Sequence, residues 1–222
     1  DANNSTNCDS VTSTIVVSVP DIEALVDTLG PINGTEGEDT TSLTNNDTLN
    51  GNQVVIGTDP GNVTLTGISV PAGLTLNGDG TVTIASNTPV GTYLVEYQIC
   101  EVNNPGNCDS VTSIIEVEAP FIEAVEDTLG PIDGANGGTN IVNVLTNDIL
   151  NDSPVDINDV NLTTVTNDPE GVLTLNTDGS VDVAENTPTG TYTLTYQICE
   201  KLNPSNCSQA EVVVEVIREL PD

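Results

Sequence analysis

The stretch from Gly91 to Pro120, GTYLVEYQICEVNNPGNCDSVTSIIEVEAP, returns as Gly190 to Ile217, GTYTLTYQICEKLNPSNCSQAEVVVEVI. Its second half also opens the chain, as Asp1 to Pro20, DANNSTNCDSVTSTIVVSVP. Cys8 to Cys108 spans 100 residues and Cys108 to Cys207 spans 99. Similarity at so long a period means a head-to-tail array of like domains. Each unit is large enough for a modest core of its own.

Each full copy reads as two strands and a loop. Tyr93, Val95, Tyr97 and Ile99 alternate with Leu94, Glu96, Gln98 and Cys100, the period of a half-buried strand. The tyrosine side is assigned to the core, which turns Cys100 outward. Cys100 and Cys108 bracket a polar loop, as do Cys199 and Cys207. A disulfide at each place would staple the base of a hairpin, and local cysteine pairs of this sort belong to an oxidising, extracellular setting. Cys8 aligns with Cys108 and Cys207, so its partner is expected eight residues earlier, just ahead of Asp1.

On this phase residues 1–19 are a loop and then a strand, with Val11, Ile15, Val17 and Val19 on one face. It is the closing strand of an upstream repeat, or, on a rival reading, a donor strand that completes a neighbouring molecule. Repeat 1 covers 20–119, repeat 2 covers 120–218, and 219–222 begin the next linker. Pro20 and Pro120 mark the boundaries and stiffen junctions too short for free rotation.

Within each repeat, Asp27 to Ile32 and Asp127 to Ile132 both read DTLGPI, a turn built on Gly-Pro. Short strands are expected at Val54–Ile56, Val63–Thr66, Leu74–Leu76 and Val82–Ile84 in repeat 1. In repeat 2 they are expected at Val160–Val165, Leu173–Leu175 and Val181–Val183. Asn77 to Gly80 and Asn176 to Gly179 supply hairpin turns with residues suited to positive φ. No stretch shows a 3.6-residue apolar period. The fold class is all-β: tandem immunoglobulin-like, cadherin-like β-sandwich domains set end to end.

Thirty-four acidic residues face only Lys201 and Arg218, a net charge of −32. Phosphate recognition needs Lys and Arg, so nucleic acid is excluded as a partner, and anionic membrane surfaces are disfavoured. No apolar run is long enough for direct membrane insertion. The chain has no His, which removes the commonest general base and the usual triads, so no enzyme is expected and no catalytic residue is assigned. A carbohydrate-binding accessory module would need exposed aromatics, yet the four tyrosines lie on the core face and Phe121 is the one other aromatic residue.

Calcium takes six to eight oxygen ligands, and acidic loops supply them. The candidate ligands are Glu23 and Asp27 beside the first linker, Glu123 and Asp127 beside the second, Asp47 and Asp148 at the end of the T-N-D motif, and Asp152. None of these loops follows the EF-hand pattern, so the signal is compositional.

The T-N-D motif, the L-N-x-D-G-T/S-V hairpin, the T-P-x-G-T-Y-x-L-x-Y-Q-I-C-E run and the N-P-x-N-C ending together resemble one repeat family. It is that of the tandem immunoglobulin-like repeats in very large Bacteroidota surface proteins, gliding-motility adhesins among them. The resemblance spans nearly the whole chain. It implies an extracellular fibre or stalk, often calcium-dependent, whose partners are neighbouring repeats or copies of itself. Repeat 1 departs from the pattern at Asp39 to Asn46, where SLTNND stands for NVLTND. The same bacterial group uses an O-glycosylation signal, Asp followed by Ser or Thr and then an apolar residue or Thr. It matches here at Ser10, Thr28, Thr40, Thr48, Ser110 and Thr128.

Overall fold

The structure, a computed structural model, describes residues 2–6 and 8–218; Asp1, Asn7 and the linker segment expected at 219–222 lie outside the described residues. The described strands of repeat 1 are β1 (Ile22–Glu23), β2 (Thr28–Asn33), β3 (Thr48–Leu49), β4 (Asn52–Gln53), β5 (Val63–Ser69), β6 (Leu74–Leu76), β7 (Val82–Ile84), β8 (Gly91–Glu101) and β9 (Cys108–Glu118). Those of repeat 2 are β10 (Ile122–Glu123), β11 (Asp127–Asp133), β12 (Gly138–Asn143), β13 (Ile149–Leu150), β14 (Ser153–Pro154), β15 (Val160–Thr166), β16 (Leu173–Leu175), β17 (Ser180–Val183), β18 (Gly190–Glu200) and β19 (Cys207–Ile217).

In both repeats the long hairpin is the centre of a four-stranded sheet, ordered β2-β9-β8-β5 and β11-β19-β18-β15. Alternation along β8 buries Val95, Tyr97 and Ile99, and along β18 it buries Tyr192, Leu194, Tyr196 and Ile198. Each repeat has its own core. Leu43, Val63, Val82 and Ile115 join the β8 side chains in the first; Val144, Val160, Val181 and Val214 join those of β18 in the second. Truncating one such buried Ile to Ala would cost about 2–5 kcal/mol, through lost burial and the cavity left behind.

The DTLGPI segment is a strand, not the expected turn. β2 runs parallel to β9, and β11 parallel to β19, with a register shift where each Gly-Pro lies. Gly30 and Gly130 have φ of 112° and 131°, and a Cβ there would run into the Glu116 or Glu215 carbonyl oxygen. The proline sits at the shift, where the ladder is already interrupted, so its missing N–H leaves no partner waiting.

One further expectation needs correction. Val54–Ile56 is not a strand; β4 lies at Asn52–Gln53, and Ile56 makes only an isolated bridge to Val63. Residues 8–19 pair with neither of these two sandwiches: Val11, Ile15 and Val17 are 91%, 84% and 87% exposed. A strand is defined by its ladder partners, and both sandwiches already contain their own closing strand. Repeat 1 also lacks a counterpart of β12. Where β12 pairs with β17, repeat 1 has one bridge, Asp39 to Thr83, and the Thr40 hydroxyl accepts the Val82 N–H instead. This is the stretch where its sequence departs from the repeat pattern.

Candidate functional site: a joint and two buried carboxylate clusters

Both expected disulfides, Cys100–Cys108 and Cys199–Cys207, are formed, and Cys8 is an exposed free cysteine. Each disulfide closes the loop at the head of a repeat, and that loop has a polar interior. Glu101 and Glu200 are buried at 4% and 3% exposure. The Glu101 Oε2 accepts from the side-chain amides of Asn104 and Asn107 at 2.8 and 3.1 Å, and Asn107 also donates to the Pro20 carbonyl at 2.9 Å. Repeat 2 reproduces this set with Glu200, Asn203, Asn206 and Pro120. The N-P-x-N-C ending is thus a clasp that fixes the linker proline to the hairpin. Its recurrence was visible in the sequence; its role was not, because a Glu and two Asn in a polar loop look like ordinary surface.

The head of repeat 2 carries the tail of repeat 1. The Val90 N–H donates to Asn203 Oδ1 at 2.8 Å, and the Thr35 hydroxyl donates to Glu200 Oε1 at 3.2 Å. Asn33 donates its side-chain amide to Asn151 Oδ1 at 2.7 Å, and Asn151 donates back to Glu36 Oε1 at 3.0 Å. Beside this joint lies an open cleft of about 580 Å³, walled by residues that include Thr35, Asn87, Asp156 and Lys201. The Lys201 ammonium is tied down by the carbonyls of Ile157 and Asn158 at 3.0 and 2.6 Å.

Of the candidate calcium ligands, the structure brings together two pairs. Asp47, fully buried, lies with Asp27 around the Tyr97 hydroxyl, and Asp148 and Asp127, both buried, lie around Tyr196. Glu23, Glu123 and Asp152 are exposed and join neither pair. Among the described residues no group of three or more His, Cys, Asp or Glu converges at metal-binding spacing.

In repeat 1, Asp47 Oδ1 accepts the Leu25 N–H, and the Tyr97 hydroxyl lies 3.0 Å from both Asp47 Oδ2 and the Leu43 carbonyl. One hydroxyl proton cannot serve both acceptors. A proton on Asp47 resolves the conflict, and burial, with the charges of Asp27 and Asp109 beside it, pushes the Asp47 carboxyl up to about 6. Burial likewise raises Asp27, against the Ser113 hydroxyl that donates to its Oδ2.

In repeat 2, Asp148 Oδ1 accepts from the Val125 N–H and from Tyr196, but Asp148 Oδ2 and Asp127 Oδ2 are buried without a hydrogen-bond partner. Burial and then the Asp148 charge push Asp127 up to about 6. Burial raises both tyrosine hydroxyls as well, reinforced by the neighbouring carboxylates, so they remain protonated donors. Two orphaned carboxylate oxygens in one buried site fit either a shared proton or part of a cation's oxygen shell.

Of the candidate glycosylation sites, Ser10, Thr28, Ser110 and Thr128 are exposed, whereas Thr40 and Thr48 are half-buried.

Residues 118–215 match the family model described as a bacterial Ig domain. No curated protein matches the chain. Solved structures similar to it include mouse cadherin-23 domains EC22–24, at 13% identity and a TM-score of 0.36, covering 90% of this chain and 65% of that one. Drosophila N-cadherin EC1–3 is 14% identical with a TM-score of 0.45, again over 90% of this chain and 65% of its own. An endo-fucoidan hydrolase of glycoside hydrolase family 107 is 17% identical with a TM-score of 0.33, over 71% of this chain and 24% of its own. The chain spans less than two thirds of the length of each. The family match covers the second repeat alone, and the same strand order in the first makes the chain two immunoglobulin-like β-sandwich domains in tandem.

Proposed function

We propose that the chain is a non-catalytic structural segment of an extracellular bacterial surface filament or adhesin stalk of the gliding-motility kind. The observation that carries the reading is the end-to-end joint, in which four hydrogen bonds and a proline linker clasped to the hairpin set one repeat on the next. Strand order supports it too. β2 near the start of repeat 1 and β9 at its end run parallel and adjacent. Tension entering ahead of β2 and leaving through the end of β9 therefore loads their ladder in shear, where the bonds must break together.

Calcium is the proposed ion. The orphaned oxygens of Asp127 and Asp148 are the best-fitting ligands, and carbonyls and waters would complete the shell. A bound cation would neutralise repulsion that the chain's own two basic residues cannot. Sugar addition is proposed at Ser10, Thr28, Ser110 and Thr128, where a glycan meets solvent. A native-source mass equal to that of the bare sequence would dispose of it.

A second reading has one observation in its favour. The exposed apolar residues of 8–19 suit strand addition to a neighbouring molecule, as in a pilus-like polymer. Imaging the native surface with an antibody against this chain tests the function itself. The filament reading expects label along extended threads; label confined to the cell interior would reject it.

A further inference from the structure

The head that repeat 2 uses in the joint has a twin on repeat 1, and that twin is unfilled. Asn104 stands where Asn203 stands, Glu101 where Glu200 stands, and Asn50 where Asn151 stands. The match is close: Asn50 and Asn151 share a φ of 53°, and their N–H groups bond the corresponding carbonyls of Asp21 and Phe121. Asn104 and Asn203 each donate to the clasped glutamate. Exposure separates them. Asn203 is 2% exposed beneath the tail of repeat 1, whereas Asn104 is exposed. Asn104 Oδ1, Glu101 Oε1 and the Asn50 carboxamide find no side-chain or backbone partner outside their own loops among the described residues.

We propose that the head of repeat 1 is a preformed docking surface for the tail of one further repeat of this kind, joined ahead of Pro20. The reading rests on the filament proposal and makes it specific. Continuity with the observed joint names the occupant's chemistry. It must bring a backbone N–H to Asn104 Oδ1, as Val90 does to Asn203, and a hydroxyl to Glu101, as Thr35 does to Glu200. It must also bring a side-chain amide to Asn50, as Asn33 does to Asn151.

The same rule says which tails fit poorly. At the tail of repeat 2 the Asn33, Thr35 and Glu36 positions hold Asp133, Ala135 and Asn136. Asp133 has no donor, and its two oxygens are already taken by the Ala135 N–H and the Asn136 amide. Ala135 offers no hydroxyl. Of the three donors, only the backbone N–H of Thr189 remains. Heads and tails of successive repeats are therefore not interchangeable, and the joint chemistry carries information about repeat order.

The test uses the full chain extended by one repeat: residues 1–120 followed by residues 21–222, so that a second copy of the repeat 1 tail precedes the head bearing Asn104. Amide exchange of the two Val90 residues is read by NMR, each joint serving as the other's control. The upstream Val90 is expected to be protected as strongly as the downstream one. Asn104→Ala in the second copy should raise upstream exchange about tenfold, the size of one net hydrogen bond, and leave the downstream joint alone. Asn203→Ala should do the converse. Replacing the added repeat with residues 121–221, so that a proline again precedes Asp21, should give a weaker upstream joint at Thr189.

Fast upstream exchange that Asn104→Ala leaves unchanged overturns the proposal, as does equal protection from both tails. Circular dichroism of each variant confirms that the sandwiches are folded. Because the joint is measured on isolated chains, its failure would leave the filament reading to be judged on the native surface.

Discussion

The two repeats enclose the same buried Asp-Tyr arrangement, in which burial raises all four carboxyls but lifts a different one furthest in each. In repeat 1 the carboxyl raised to about 6 is Asp47; in repeat 2 it is Asp127. Two exchanges on the closing strand account for the difference. Ser113 gives Asp27 a hydroxyl donor, and its counterpart Val212 gives Asp127 nothing. Asp109 bonds the Ala24 N–H and adds a like charge near Asp47, whereas its counterpart Ser208 makes the same bond to Ala124 without charge. A fold can thus be copied while its electrostatics are reset by single side chains facing one cavity.

Loss of a disulfide should separate the repeats by position, not by core. Replacing either cysteine pair with serine removes a short closed loop from the unfolded-state constraint and should cost just under about 3 kcal/mol. For Cys199 and Cys207 the loss should also loosen the interdomain angle, because their loop presents Asn203 to the tail of repeat 1. For Cys100 and Cys108 the angle should hold. Calorimetry and solution scattering check the two parts.

Calcium should also act unequally on the two repeats. If the ion prefers the orphaned oxygens of repeat 2, saturation at a hundredfold excess over Kd should stabilise that domain by about 2.7 kcal/mol and repeat 1 by less. Asp148→Asn should abolish the difference. A melting curve indifferent to both calcium and chelator would remove the ion from this account.

Smaller again is the effect of the hydroxyl. Ser113→Ala should destabilise repeat 1 by roughly 1–2 kcal/mol, since it strips the donor from a half-buried carboxylate. Val212→Ser should lower the Asp127 midpoint from about 6. Carbon-detected NMR titration in chelator reads both. The sign of the accompanying pH dependence follows from the direction of the shifts. Asp47 and Asp127 have an ordinary value of 3.8 and folded values of about 6. The folded chain binds their protons more tightly, so the stability they contribute is complete below 3.8 and is lost as pH rises through about 6. Relief of repulsion among the many carboxylates works in the same direction.

Much of the fold was legible because strands announce themselves by alternation. The faces of β8 and β18, the Asn77–Gly80 and Asn176–Gly179 turns, and both disulfides follow from period and spacing. The Gly-Pro segment misled because proline usually breaks a ladder, and here it stands at a register shift within one. At the candidate sites, Asp27, Asp47, Asp127 and Asp148 could be named but not paired, since pairing depends on which loops the hairpin tyrosines draw together. The clasp of Glu101, Asn104 and Asn107 was beyond reach for a similar reason. Nothing local distinguishes a buried glutamate from a solvated one in so acidic a chain.

The proposed filament makes these domains consecutive beads of one long polypeptide. Electrophoresis of native surface fibres under denaturing and reducing conditions, with an antibody against this chain as the probe, distinguishes this from a polymer of subunits. A single species many times larger than a 222-residue chain is expected. A band at the size of the chain alone, or a ladder of its multiples, would contradict it and favour subunits joined by strand addition.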